Sequence, residues 1–91
     1  MHYILFYKTV ENYVEKRAPF REMHLAYAQE YVKRGELIMA GAFDNPVDGA
    51  ALVFNCETET IPQEFAKNDP YVINGLISEW YIRAWNVVLK S

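Results

Sequence analysis

The distribution of apolar residues along the chain predicts four β-strands. The segments that carry the pattern are residues 2–8, 36–43, 50–56 and 79–89. Many of their side chains are aromatic or β-branched, as is typical of strands. In the first segment, Ile4 and Phe6 lie on one face, while Tyr3 and Leu5 lie on the other. Because both faces of each strand are apolar, we expect both faces of the sheet to be covered.

The spacing of the apolar residues over 20–34 predicts an α-helix. Pro19 suits the first turn of a helix, and Gly35 suits the position just after its last residue. The positions that recur on one helical face, and that we expect to face the core, are Leu25, Ala28 and Val32. A neighbouring stripe consists of His24, Tyr27 and Tyr31.

A second, shorter helix is predicted over residues 61–67. Thr60 is placed to cap its first turn. Asp69-Pro70 ends it, because the residue before a proline avoids the α region. The polar residues 9–18 form a connection that has room for a short helical turn.

The order of the elements is β-α-β-β-α-β, which is the arrangement of the ferredoxin-like fold. Turn-forming residues over 44–49 join the second and third strands as a hairpin, so we expect one four-stranded antiparallel sheet. Two helices can cover only one face of such a sheet. We therefore predict a single α+β domain over residues 1–91 that forms a homodimer through its sheet face, as in the dimeric α+β barrels. Whether such dimers assemble further stays open.

Composition narrows the classes of partner. The net charge is −3 and no Lys/Arg-rich run occurs, so we expect no nucleic-acid partner. Cys56 is the only cysteine, which excludes an intrachain disulfide and fits a reducing cytoplasm. In an apolar strand it is interpreted as a small core residue. No apolar run reaches the length of a membrane span, and the first eight residues lack signal-peptide features. We expect a cytoplasmic protein with no membrane partner.

His24 and Asp69 are the strongest candidates for a catalytic pair. Position alone favours His24 as a hydrogen-bonded packing residue, although an imidazole also suits general acid–base catalysis near neutral pH. An aspartate before proline is a common turn and cap residue, which would account for Asp69. In the functional interpretation, Asp69 accepts the ring N–H of His24 and fixes its orientation, or it takes the proton itself with His24 as its support.

Arg21 and Tyr71 are the candidate substrate-binding residues. Arg21 precedes His24 by three positions and projects from a similar face of the helix, where its guanidinium suits a carboxylate or an enolate. A solvated or ion-paired arginine explains it equally well. Tyr71 is interpreted first as a packing residue and second as part of a cleft. No metal-ligand grouping and no cofactor motif occurs, so we expect neither a metal nor a cofactor.

Two motifs carry a resemblance to a known family. They are Arg21-x-x-His24-Leu25-Ala26, followed by Gly35-x-Leu37-x-x-Ala40-Gly41, and Asp69-Pro70-Tyr71-Val72-x-x-Gly75-Leu76. In this order, the chain resembles the YCII-related (YciI-like) proteins over nearly its whole length. The resemblance implies the fold of the dimeric α+β barrels, which include muconolactone isomerase-like enzymes and monooxygenases. It also implies a His–Asp pair in a cleft, at His24 and Asp69.

The function that follows from the pair and the resemblance is cofactor-free acid–base chemistry on a small organic molecule, of the lyase or isomerase type. His24 would be the acid/base, Asp69 would orient it, and Arg21 would hold an anionic group. The alternative is a dimeric module that binds a small metabolite without turnover or has a structural role. The sequence leaves open whether the protein is an enzyme, and it does not name a substrate.

Overall fold

Four strands and four helices make up the fold, in a computed structural model that describes residues 1–91. The strands are β1 (His2–Thr9), β2 (Leu37–Ala42), β3 (Gly49–Asn55) and β4 (Ile77–Trp85). The helices are α1 (Tyr13–Lys16), α2 (Arg21–Lys33), α3 (Thr60–Asn68) and α4 (Pro70–Ile73), with a 3₁₀ turn at Ala18–Phe20. The strands form one antiparallel sheet in the order β2-β3-β1-β4, so the predicted ferredoxin-like α+β arrangement is confirmed.

The last strand begins and ends earlier than its apolar pattern indicated. β4 pairs with β1 from Ile77, opposite Thr9, to Trp85, opposite His2. Because β1 begins at His2, the residues after Trp85 have no partner strand. Leu89, which the pattern placed in the strand, is 89% exposed.

The segment around Asp69 folds into two helices rather than one. Thr60 is the first residue of α3 and not its cap, which was the prediction. Asp69 takes an extended conformation (φ −65°, ψ 126°), as expected before proline, and α4 begins at Pro70. The predicted break is therefore a turn between two helices, and it brings Tyr71 into the core at 2% exposure.

The core lies between one face of the sheet and the helices. The large buried side chains of this layer are Tyr3, Leu5, Tyr7, Leu52, Phe54 and Phe65. The rings of Phe54 on β3 and Phe65 on α3 meet edge-on, with centroids 5.4 Å apart. This contact fixes α3 on the sheet, and α3 in turn carries the chain into Asp69.

Helix α2 presents only part of the predicted stripe to the core, because Ala28 packs against the core whereas Leu25 and Val32 do not. Leu25 and Val32 are 49% and 43% exposed, whereas Tyr27 and Tyr31 are half-buried. Both tyrosine rings lie with their centroids 4.9 Å from that of Phe65. Aromatic rings bury more area than Leu or Val, so the helix is rotated toward its tyrosines. His24 shares this inward stripe.

The opposite face of the sheet carries apolar side chains that no helix covers. Phe6 of β1 projects from this face and stacks on Tyr81 of β4, with ring centroids 5.0 Å apart. The most exposed large side chains there are Met39, Tyr81 and Trp85, at 70%, 52% and 47%. The pattern of two apolar faces on each strand therefore reflects one packed face and one open apolar face.

Gly49 lies where the backbones of β1 and β3 approach closely. A Cβ at this position would lie 2.7 Å from the carbonyl oxygen of Tyr7. Gly49→Ala is therefore expected to lower the free energy of unfolding by about 2 kcal/mol, because the strands must shift to admit the methyl group. Chemical denaturation at one protein concentration measures the change.

Gly41→Ala on β2 is the matched control for this substitution. No atom lies within 4 Å of the Cβ that would be added at Gly41. Its effect on the free energy of unfolding is expected to stay below about 0.5 kcal/mol. Equal losses for the two alanines would contradict the steric explanation.

Candidate functional site

Asp69 is the buried centre of the candidate site. It connects α3 to α4, its side chain is completely buried, and its Oδ1 accepts the backbone N–H of Tyr71 at 3.0 Å. The side chain thus caps α4, as the turn interpretation of the sequence expected. A buried carboxyl group requires partners for both oxygens, and the fold supplies two more.

His24 and Tyr7 are those further partners of Asp69. Nδ1 of His24 lies 2.7 Å from Oδ1, and the hydroxyl of Tyr7 donates to Oδ2 at 2.7 Å. Since a carboxylate only accepts hydrogen bonds, Nδ1 of His24 carries the proton in this arrangement. The hydrogen bond between His24 and Asp69 that the sequence suggested is present, and the role of the pair in catalysis stays a prediction.

The imidazole of His24 is oriented by stacking as well as by its hydrogen bond. Its ring lies parallel to that of Tyr71, with centroids 3.8 Å apart and planes inclined by 6°. The His24 side chain is 15% exposed. Its other nitrogen, Nε2, makes no hydrogen bond within the chain and retains contact with solvent. Nε2 is therefore the atom of the pair that a ligand can reach.

Tyr7 is a site residue that the sequence did not single out, because a tyrosine in an apolar strand is typical of a core or interface position. Burial raises the pKa of the Tyr7 hydroxyl far above its usual range, and the charge of Asp69 and their hydrogen bond raise it further. The hydroxyl therefore stays protonated and donates. The available signal was its inward position on the first strand, since a buried tyrosine hydroxyl usually has a partner. Nothing local named Asp69 as that partner.

Tyr27 fixes the separation between the two helices that carry the pair. Its hydroxyl donates to the backbone oxygen of Phe65, at 2.9 Å, and so joins α2 to α3. Burial raises the pKa of this hydroxyl, followed by its hydrogen bond with Tyr31. A neutral donor at this point holds His24 within reach of Asp69.

The predicted substrate-binding residues lie beside the pair in different environments. Arg21, at the start of α2, is exposed. Tyr71 is buried, and its hydroxyl has no hydrogen-bond partner in the protein. Burial raises the pKa of Tyr71, followed by the neighbouring Tyr13, while the charges of Arg21 and Arg17 oppose the rise. Arg21 is thus close to the hydroxyl without forming a well-aligned hydrogen bond to it.

The predicted cleft around His24 and Asp69 is not found in the single chain. The surface has four cavities, of about 190 to 350 Å³, and neither residue of the pair lines any of them. The stacked ring of Tyr71 and the packing of α2 fill the space that an open cleft would need. The pair is reached through the exposed edge of His24 alone.

Other chemistry-bearing features are few. No group of three or more His, Cys, Asp and Glu side chains is arranged to hold a metal ion. Cys56 follows β3 rather than lying within it, and burial raises the pKa of its thiol. None of the helices has both the length and the apolar surface that crossing a membrane requires.

Comparison with known proteins places the chain among related sequences and structures. An uncharacterised protein of Haemophilus influenzae is 29% identical over an alignment of 97 positions, which covers 97% of this chain and 99% of that protein. The structure is similar to that of 5-chloro-2-hydroxyhydroquinone dehydrochlorinase (TftG) from Burkholderia phenoliruptrix, in complex with 2,5-dihydroxybenzoquinone, with a TM-score of 0.79. The two chains are 20% identical, with 94% of each covered, and this similarity establishes a shared fold.

The family of the chain follows from the extent of its match to a sequence profile. The profile of the YCII-related domain matches residues 1–86. The matched region includes both motifs from which the resemblance was inferred, with His24 and Asp69 inside them. The chain belongs to the YCII-related domain family.

Proposed function

We propose that this protein is a small enzyme that performs acid–base chemistry, without a cofactor, on a small organic molecule in the cytoplasm. The observation that carries the proposal is the carboxylate of Asp69, which accepts three donors, one of them Nδ1 of His24. In its neutral form, a histidine held in this way presents an unprotonated Nε2 outward, as a general base requires.

The proposed chemistry begins with proton transfer to His24. Nε2 takes a proton from a carbon or hydroxyl of the substrate, and the bond electrons remain on the substrate. Asp69 then stabilises the imidazolium through its hydrogen bond to Nδ1. The substrate electrons either expel a leaving group, in an elimination, or are protonated at another atom, in an isomerisation. His24 returns its proton to the product or to solvent.

The fold neighbour supports a substrate class. TftG is named as a dehydrochlorinase of a hydroxylated, chlorinated ring, and loss of hydrogen chloride is an elimination of the kind described above. By this analogy we propose a small hydroxylated or enolisable molecule as the substrate. Arg21 and Tyr71 are its proposed contacts, because both lie beside His24.

The proposal includes a homodimer formed through the open face of the sheet. The exposed aromatic and apolar side chains of that face provide the contact surface, which a second copy would bury. The helices that carry His24 and Asp69 pack on the opposite face of the sheet. Dimerisation through the open face therefore leaves the exposed edge of His24 accessible.

The test of the catalytic role is turnover by His24→Gln. A thermal-shift screen of hydroxylated and chlorinated aromatics identifies ligands, and chloride release or a change in ultraviolet absorbance then measures turnover. His24→Gln is expected to lower kcat by about 10²- to 10⁴-fold. His2→Gln, at the only other histidine, is the matched control and is expected to retain kcat. Full activity of His24→Gln would exclude the mechanism.

One observation favours the alternative of a module that binds without turnover. His24 and Asp69 line no cavity of the single chain, so the site has little enclosed volume for a substrate. In that case ligands from the screen would stabilise the protein, and none would be converted. His24→Gln would then change affinity alone.

A further inference from the structure

The hydroxyl of Tyr71 is a buried polar group without a partner. The residue is 2% exposed, and its oxygen makes no hydrogen bond in the protein. An unpaired buried hydroxyl is unfavourable for folding, and each such group in a native protein requires an explanation. The ring already has a packing role against His24, which a phenylalanine could also fill. Arginine can only donate to this hydroxyl, so the hydroxyl proton has no acceptor within the chain, which points to an acceptor on a ligand.

The positive charges of two arginines, Arg17 and Arg21, act on this hydroxyl and oppose the rise in its pKa that burial causes. The guanidinium of Arg17 lies 5.2 Å from the ring centroid of Tyr13, and the Tyr13 ring meets that of Tyr71 edge-on at 5.7 Å. Arg21 precedes His24 by three positions on α2, so it projects from a similar face beside the ring that stacks on Tyr71, and its charge opposes the rise in the pKa of Tyr71. Arg17, Arg21 and Tyr71 thus form one cluster, which stacks on His24 through Tyr71.

Neither arginine of the cluster is neutralised by the protein. The ion pairs in the structure join His24 to Asp69, Lys33 to Glu30 and Arg34 to Glu36. Arg17 and Arg21 therefore have no carboxylate within 4 Å, although the chain as a whole carries a net charge of −3. Two unpaired guanidinium groups beside a free hydroxyl donor form a set of donors with no acceptor. Arginine prefers planar anions such as carboxylates, which it binds through two parallel hydrogen bonds.

We propose that Arg17, Arg21 and the Tyr71 hydroxyl form an anion site, which binds a carboxylate, phenolate or enolate oxygen of the ligand. Neither the sequence motifs nor the comparison of folds identified Arg17 as a site residue. The proposal deepens the proposed function and rests on it only in placing this anion beside the reactive edge of His24. The arginines would then stabilise the negative charge that appears on the substrate when Nε2 removes a proton.

The experiment uses the full chain with benzoate as the anionic probe and benzamide as its neutral counterpart. Isothermal titration calorimetry or NMR titration measures the two affinities at constant ionic strength. Benzoate is expected to bind at least about tenfold more tightly than benzamide, which corresponds to one charge-assisted hydrogen bond. Equal affinities, or no benzoate binding up to tens of millimolar, would overturn the anion site.

Two variants test the named residues. Arg17→Gln and Tyr71→Phe are each expected to weaken benzoate binding about tenfold. Tyr71→Phe is expected to unfold at the same denaturant concentration as the wild type or a higher one, because the hydroxyl that it removes has no partner. Loss of binding without loss of stability separates a ligand contact from a packing role. Unchanged benzoate affinity in either variant would contradict the proposal.

Lys16→Gln is the matched control for Arg17→Gln. Lys16 is the adjacent cation, it is the last residue of α1, and it is exposed. Its removal is expected to change benzoate affinity less than about twofold, through general charge alone. If Lys16→Gln and Arg17→Gln lose the same benzoate affinity, the loss reflects the net charge of the protein, and the proposed anion site is excluded.

The outcome is distinguishable from that of the proposed function. Benzoate binding involves no turnover, whereas the His24→Gln test measures turnover alone. If benzoate does not bind and His24→Gln loses activity, the anion site is excluded and acid–base catalysis by His24 is supported. If benzoate binds through Arg17 and His24→Gln retains activity, the anion site is supported and catalysis by His24 is excluded.

Discussion

Asp69→Asn is expected to lower the free energy of unfolding by about 3 kcal/mol, because it places two buried hydrogen-bond donors opposite each other. The carboxylate now accepts from His24, Tyr7 and the backbone N–H of Tyr71. An amide has one oxygen, and directing it at His24 and Tyr71 places its NH₂ group against the Tyr7 hydroxyl. The proton of that hydroxyl then loses its acceptor. Urea denaturation measures the change.

The same substitution is expected to change the state of the imidazole. Without the carboxylate, Nδ1 of His24 faces a neutral amide oxygen, so the preference for the Nδ1-protonated tautomer weakens and the Nε2-protonated tautomer becomes populated as well. The ¹⁵N chemical shifts of the ring report this redistribution. Asp44→Asn, at an exposed position, is the matched control and is expected to alter neither stability nor tautomer. A single Nδ1-protonated tautomer in Asp69→Asn would contradict the assigned role of Asp69.

Tyr7→Phe completes the test through a double-mutant cycle. The single substitution leaves Oδ2 of Asp69 without its donor and is expected to cost about 1.5 kcal/mol. In the Asp69→Asn background it removes the hydroxyl that had lost its acceptor, so its cost is expected to fall by about 1 kcal/mol. Strict additivity would mean that Tyr7 and Asp69 act independently.

Phe6→Glu is expected to convert the protein from a dimer to a monomer. Sedimentation equilibrium at micromolar concentration should give twice the chain mass of 10.6 kDa for the wild type and 10.6 kDa for the variant. Phe6 lies on the central strand β1 of the open face and stacks on Tyr81. A carboxylate buried there without a partner is expected to raise the dimer dissociation constant at least about 100-fold.

Leu25→Glu provides the control for the dimer test. Leu25 is also a large apolar residue, and it is 49% exposed, but it lies on α2 at the opposite face of the sheet. Its substitution by a charge is expected to leave the dimer intact. A wild type that sediments as a monomer would exclude the dimer, and dissociation caused by Leu25→Glu alone would place the interface on the helices.

The sequence by itself determined the order of the elements and the two halves of the site. The aromatic and β-branched strand segments and the Asp69-Pro70 break are local signals, because they depend on the side chains and the backbone of adjacent residues. They were enough to predict the ferredoxin-like arrangement, and the resemblance to the YCII-related proteins then selected His24 and Asp69 as a pair. The same local signals led to errors where packing decides, as for the predicted inward stripe of Leu25 and Val32.

Tertiary structure alone decided how the site is assembled. Tyr7 and Asp69 are 62 residues apart in the chain, and only the seating of α3 and α4 on β1 brings the hydroxyl to the carboxylate. The rotation of α2 toward its tyrosines likewise sets His24 against Tyr71 and fills the expected cleft. These distances depend on how large side chains share the space between sheet and helices, which no local pattern encodes.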